Sequence, residues 1–287
     1  MNASVKRMRK RGVNAPLWQT VLHICAWAVV LLVMAPFLVT LWFSLKGADD
    51  FNRGLWTLPR VPRFNNYWVC LQAVNFNMLN SVCICLVIAV AAVLVSSLAA
   101  YTFARYDFKF KNALFGLIIA LMMVPGILTL TPQYLNILSL GLHNTRFAVI
   151  LPGIAGNVVG CVFLFRTFMG QQPGELYESA RVEGAGDLTM YFRIALPLSV
   201  PVLMIQLVGI FAMQYNDYLW PMLVVEKPAI QMLMPLLKDM IADVYAKTAN
   251  AGATYALYIV SGIPLVVTSL IGLKYFVNGD FASGLKF

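Results

Sequence analysis

Long apolar runs alternate with short polar segments along this chain, and six runs are long enough for membrane-spanning helices. They cover about residues 18–45, 79–103, 113–132, 147–168, 198–223 and 255–276. A span needs roughly 20 mostly apolar residues to cross a hydrocarbon core of about 30 Å. Pro36, Pro125, Pro201 and Pro264 lie in or at the ends of these runs. They predict kinks, which are tolerated where neighbouring helices or water re-satisfy the freed carbonyls. The pattern predicts an all-α polytopic membrane protein with a basic N-terminus (1–17), a transmembrane domain (18–276) and a short tail (277–287).

Composition strengthens this reading. Only 11% of the 287 residues are charged and 60% are hydrophobic, with a mean hydropathy of +0.76. Soluble domains carry about 25% charged residues. The net charge of +9 does not point to nucleic acid, because the basic residues sit between apolar runs and form no stripe interleaved with aromatics. Counted by alternate loops, thirteen of the 21 Lys and Arg fall on the N-terminal side, leaving eight opposite. Basic residues favour the inner face, so an N-in, C-in topology with six spans is expected. Lys6, Arg7, Arg9, Lys10 and Arg11 precede the first run and imitate a signal peptide, but the run exceeds a signal h-region and reads as an uncleaved span.

Candidate chemistry is sparse. Cys25, Cys70, Cys83, Cys85 and Cys161 show no CxxC spacing, and His23 and His143 are far apart, so packing roles are expected and no metal site. Phosphate-loop, HExxH and GxSxG patterns do not occur. A membrane enzyme would need clustered acids, histidines or metal-ligand spacing. An ion-coupled transporter would leave ionisable groups at mid-membrane, where Asp217 is the nearest candidate. Trp18, Trp56, Tyr67, Trp68, Tyr215, Tyr218 and Trp220 fall near predicted span ends, as interfacial belts do.

The longest predicted inner loop, about 169–197, is the most informative segment. Pro173 suits the first turn of a helix, and Glu175 and Glu178 favour the positive end of its dipole. Leu176, Ser179, Ala180 and Glu183 recur at three- and four-residue steps and share a face. Gly184 and Gly186 permit a sharp turn. A second helical stretch reaches Ile194, and Leu196-Pro197 leads into the fifth span.

This loop resembles the EAA motif of ABC importer permeases, E-A-A-x3-G-x9-I-x-L-P. Glu178, Ser179, Ala180, Gly184, Ile194, Leu196 and Pro197 keep every spacing, with Ser179 the one departure. Further resemblance runs along nearly the whole chain and is similar to the smaller subunit of maltose-type, carbohydrate permeases. It includes Asn80-Ser81, Ala99-Ala-Tyr-Thr-Phe-Ala-Arg105, Pro125, Pro132-Gln-Tyr134, Gly141-Leu-His-Asn-Thr145, Phe211, Tyr215-Asn-Asp-Tyr218 and the tail Gly279-Asp-Phe-Ala-Ser-Gly284-Leu-Lys286.

The resemblance implies a MetI-like type I importer permease fold in a bacterial plasma (inner) membrane. It implies a coupling helix in which Glu175, Leu176, Glu178, Ser179, Ala180, Glu183, Gly184, Ala185, Ile194, Leu196 and Pro197 meet a cytoplasmic ATPase. Implied partners are a second homologous permease, two ATPase subunits that bind ATP and Mg, and an extracytoplasmic solute-binding protein that meets the outer loops 46–77 and 226–254. No catalytic residue, metal or cofactor is expected in this chain. Asn157, Gln206, Gln214, Asn216 and Asp217 are candidates for the substrate path, and helix–helix hydrogen bonding is the alternative for each. A secondary transporter or channel without an ATPase partner is the alternative function.

Overall fold

The computed structural model describes the backbone of residues 16–277; the basic N-terminus and the 279–286 tail motif lie outside the described residues. Every regular element among the described residues is helical. The helices are α1 (Pro16–Ser44), α2 (Ala48–Arg53), α3 (Asn65–Arg105), α4 (Lys111–Met122), α5 (Gly126–Ser139), α6 (Phe147–Gly170), α7 (Glu175–Val182), α8 (Asp187–Met190), α9 (Leu196–Asn216), α10 (Leu219–Val224), α11 (Leu233–Thr248) and α12 (Ala251–Val277). Among the described residues they form two compact units, 16–72 with Ile241–Val260, and Ala73–Met240 with 261–277.

In the first unit, α1 is apolar on every side and its side chains from 18 to 38 are exposed, as suits a helix surrounded by lipid or other helices. Where α1 ends, three helix termini share a buried polar knot. The Asn66 side-chain amide donates to the carbonyls of Ser44 (2.7 Å) and Lys46 (3.2 Å), and that of Asn250 donates to Lys46 O (3.2 Å) and Asn66 Oδ1 (3.1 Å). Gly252 opens α12 against the Lys46 carbonyl, where an added Cβ would collide with backbone. The Lys46 ammonium is buried between the Phe43 and Phe51 rings and donates to the carbonyls of Gly54 (3.0 Å) and Leu55 (2.5 Å). Asp50 accepts from the amides of Gly47 (3.1 Å) and Arg60 (3.3 Å). The Gly47 amide foremost, then the Arg60 amide and the charges of Arg53 and Lys46, hold its carboxyl below the usual range against the opposing effect of burial. The expected loop 46–77 is thus partly helical, with α3 starting at Asn65.

The second unit contains the remaining bundle. The 41 residues of α3 extend about 60 Å at 1.5 Å per residue, twice the hydrocarbon thickness, so the helix continues beyond its apolar run. Within this unit α3 and α6 run parallel and are tied at both ends. Arg146 Nε donates to Asn80 Oδ1 (2.8 Å), and Arg105 donates to the carbonyl of Met169 (2.7 Å) at the other end. Residues 106–146 therefore return the chain from one end of this pair to the other.

That return is made by α4 and α5, and the stretch expected as one span at 113–132 is here two helices broken at Pro125. The two limbs meet at 99°. Pro125 lacks an amide hydrogen and disfavours helical backbone at Val124; it sits in extended conformation as the α5 N-cap. Among the described residues five helices are long and apolar enough to cross a membrane, and the bent pair makes a sixth if it is one span. The run expected at 198–223 is also divided: α9 stops at Asn216, and α10 follows after Asp217-Tyr218.

Candidate functional site

The 169–197 loop folds into two helical pieces. α7 starts after Gly174, whose carbonyl accepts from the amides of Tyr177 (2.9 Å) and Glu178 (3.1 Å). Pro173 thus precedes the helix and does not enter its first turn. At the other end Gly184 adopts φ +83. Its amide donates to Arg181 O (3.0 Å), and the Ala185 amide donates to Ala180 O (2.9 Å). These two bonds define a Schellman motif, in which the left-handed residue is best supplied by glycine. The glycine in the EAA pattern ends the helix and turns the chain.

One residue fastens α7 from below. Tyr177 is 7% exposed, its hydroxyl donates to Gln172 Oε1, and the Arg105 guanidinium lies 4.0 Å from its ring centroid. Arg105 closes α3 and donates to Met169 O (2.7 Å) and Gln172 O (2.9 Å). A cation is well placed there, because the last carbonyls of α6 lack helical partners and carry the negative end of its dipole. Tyr101, one turn earlier, packs against Tyr177, Tyr106 and Tyr191 with centroids 6.3, 5.8 and 5.4 Å away. Burial pushes the Tyr177 phenol above its usual range, with Arg105 opposing. Burial does the same more strongly at Tyr106, aided by Asp187 and Tyr101.

The opposite side of α7 is free. Glu175, Leu176, Glu178, Ser179, Val182 and Glu183 are all exposed, Val182 at 89%, while Ala180 is half-buried. Ser179 donates back to Glu175 O (2.9 Å), so its hydroxyl is satisfied within the helix and its small size leaves the surface open. Among the described residues none of the three glutamates forms an ion pair. The result is an acidic surface with apolar points, held on a rigid underside.

Ile194, Leu196 and Pro197 lie elsewhere. After Gly186 the chain forms a continuous helical stretch to Asn216 with a wide π turn at Tyr191–Ala195. Leu196 donates to Tyr191 O across five residues. A regular turn would drive the Pro197 ring into the carbonyl four residues earlier, and the π turn relieves that crowding. Gln172 links this second piece to the first, its Nε2 donating to Ser199 Oγ (2.9 Å).

The five polar residues expected along a substrate path are not gathered in one place. Asn157 and Asn216 donate to carbonyls of their own helices, Gly153 (2.7 Å) and Ala212 (2.8 Å). Gln206 lies 3.5 Å from Cys161 Sγ. Asp217 Oδ1 accepts from the amides of Leu219 (3.1 Å) and Trp220 (3.4 Å), starting α10. Gln214 and Asp217 share a cleft of about 290 Å³ with Gln133, Pro152 and Trp220. Sequence reasoning missed Tyr177, Gln172 and Arg105 as a group. The available signal was a lone Arg closing an apolar run one turn after Tyr101.

Known proteins match this chain along most of its length. Residues 92–278 match the family described as "Binding-protein-dependent transport system inner membrane component". The melibiose/raffinose/stachyose import permease protein of Bacillus subtilis (strain 168) is 28% identical over 88% of this chain and 91% of its own length. The sn-glycerol-3-phosphate transport system permease protein of Yersinia pestis bv. Antiqua (strain Antiqua) is 33% identical over 70% of this chain and 71% of its own. Among solved structures, a chain of a bacterial ABC transporter involved in import of the acidic polysaccharide alginate superposes with a TM-score of 0.77. It covers 92% of this chain and 98% of that one, at 20% identity.

Proposed function

The chain belongs to the binding-protein-dependent transport system inner membrane components, and from that premise we propose that it forms half of the translocation path of an ATP-driven importer for a sugar or oligosaccharide. The names of its relatives support that solute class. A second permease completes the path, a solute-binding protein delivers the cargo, and two cytoplasmic ATPase subunits bind ATP and Mg.

The carrying observation is α7, exposed and acidic above, fastened by Tyr177 and Arg105 below. A groove in the ATPase takes this surface, with Glu175, Leu176, Glu178, Ser179, Ala180, Glu183, Gly184 and Ala185 at or beside the contact. Ile194, Leu196 and Pro197 shape the following turn into α9. An exposed ion pair contributes about 0–1 kcal/mol, whereas moving a transporter from 1:99 to 99:1 takes about 5.5 kcal/mol. No single glutamate suffices, so coupling rests on the whole docked surface and its anchor.

The parallel course of α3 and α6 supports six crossings, because the α4–α5 pair must carry the chain between opposite ends. With the basic bias, this supports the N-in, C-in topology. Gln214 and Asp217, in the cleft at the end of α9, are the path residues best placed to meet solute. A secondary transporter or channel would leave α7 without a partner.

The test is purification of the tagged chain in mild detergent with its companions and an assay of ATP hydrolysis. Co-purification of a second permease and an ATPase, and uptake that stops when that ATPase is deleted, is expected; uptake by the chain alone would overturn the reading. Glu178→Ala should lower ATPase association or coupling while the protein still inserts.

A further inference from the structure

We propose that the end of α6 and the start of α4 form a binding site for the headgroup phosphate of an anionic phospholipid. Arg166 and Lys111 line two adjoining hollows of about 370 and 230 Å³, the first with Asp107, Phe108, Phe110 and Asn112, the second with Phe103, Thr167 and Gly170. Arg166 carries five N–H donors. Its contact among the described residues is the Phe115 ring, 3.6 Å from guanidinium carbon to centroid, and no carboxylate pairs with it. Phe115 is itself fixed between Phe103 (5.8 Å) and Phe163 (6.2 Å), so a charged fork is held in place with its hydrogen-bonding capacity unused.

The rest of the site completes an anion receptor. Phe110 takes the left-handed conformation ahead of α4 and gives it no side-chain cap. The Lys111 amide donates to Phe108 O (3.2 Å) and the Leu114 amide to Phe110 O (2.9 Å), which leaves the Asn112 and Ala113 amides of the first turn for a ligand. Lys111 Nζ pairs with Asp107 at 3.0 Å, but that carboxylate is fully exposed, and exposed pairs open at little cost. Both α4 and α6 continue into exposed apolar side chains, Leu114, Leu117, Phe163 and Leu164. A free phosphate uses the basic end only, whereas a phospholipid also covers the apolar flank with its acyl chains. Basic pockets between spans on the inner side suit acidic headgroups, and the site lies at the end of the bundle that presents α7.

Native mass spectrometry of the delipidated, detergent-purified complex, given phosphatidylglycerol or phosphatidylcholine, tests this. The wild type should retain phosphatidylglycerol in preference. Each basic residue near an anionic headgroup contributes about fivefold, so Lys111→Gln with Arg166→Gln should weaken retention by about 25-fold. Lys109→Gln, which removes one charge outside the hollows, should not weaken it even by the roughly fivefold of a single site residue. Arg166→Lys, which keeps the charge but not the fork, should fall between, and guards against misfolding of the double variant. Equal retention of both lipids, or no loss in the double variant, overturns the proposal. Binding of inorganic phosphate without lipid retention would make this a free-anion site and overturn the lipid assignment. Loss of the second permease with lipid retention unchanged would make it a protein interface instead.

Discussion

Replacing Arg105 by Gln removes the fastening of α7 without touching its exposed surface. Two charge-assisted hydrogen bonds end, to Met169 O and Gln172 O, and so does the contact with the Tyr177 ring at 4.0 Å. Hydrogen bonds to charged groups contribute about 1.5–3 kcal/mol each, and a partly desolvated cation–π contact about 0.5–2. Glutamine restores one neutral hydrogen bond of about 1 kcal/mol, so a local loss of roughly 2.5–7 kcal/mol is expected. That is more than a third of the roughly 5.5 kcal/mol needed to reverse a 1:99 transporter equilibrium. In proteoliposomes containing the assembled importer, ATP hydrolysis should persist while solute moved per ATP falls several-fold. Arg105→Lys, which keeps charge but not the planar fork, should be intermediate. Tyr177→Phe, which loses only the hydroxyl bond to Gln172, should be mild. Wild-type solute-to-ATP ratios in Arg105→Gln would refute the anchor.

Three further outcomes follow from the geometry. At Gly184, φ +83 with open space around the Cβ position makes the penalty purely one of backbone, about 1–2 kcal/mol for Ala and less for Asn. Uptake should rank glycine, Asn, Ala, then Pro, with Gly184→Pro inserted but inactive; an active Pro variant would sink the turn assignment. Gly252→Ala forces a Cβ onto the Lys46 carbonyl and should destabilise by about 1–3 kcal/mol or more, read as a lower melting temperature in detergent. Because the folded Asp50 carboxyl titrates below its ordinary 3.8, its stabilisation is present above that pH and disappears as pH falls through the lower folded value. Asp50→Asn should therefore be less stable at neutral pH and lose less on acidification, measured as melting temperature against pH.

The apolar runs were legible because a bilayer demands about 20 consecutive apolar residues of each span, and those residues define the centres of α1, α3, α6, α9 and α12. What escaped notice lies where this demand stops. The start of α3 carries Asn65, Asn66, Gln72, Asn75 and Asn77, which read as loop, yet Asn66, Asn77 and Asn80 donate to other segments' carbonyls and hold the helix together. Pro125 announced a break, but nothing local sets the 99° between its limbs. In the 169–197 loop, Glu178 and Gly184 stood out by their resemblance to the EAA pattern, and the Schellman geometry gives the position of the glycine its reason. The Arg105–Tyr177 contact joins residues far apart in sequence, and no periodicity reports such a pair. Asp217 looked like a solute ligand because charge is rare there; its amide bonds give it a capping task as well.

The two attachments of the coupling segment differ in stiffness, and this difference decides how a displacement of α7 would travel. Beneath α7, Arg105 binds the end of α6 and the Tyr177 ring together, while Arg146 and Asn80 lock the opposite ends of α3 and α6. Under the proposed function, a load on α7 would reach this doubly tied pair through short, charged contacts and would move it as one body. Towards α9 the route passes the glycine turn at Gly184 and Gly186 and then the π turn at Tyr191–Ala195, where hydrogen bonds span five residues. The bond from Gln172 to Ser199 is then the main cross-link between the two pieces. An element that is stiff towards two helices and compliant towards a third can change the spacing between them. Because Gln214 and Asp217 sit at the far end of that third helix, the same asymmetry would, under the proposed function, link the acidic surface of α7 to the cleft where solute is proposed to pass.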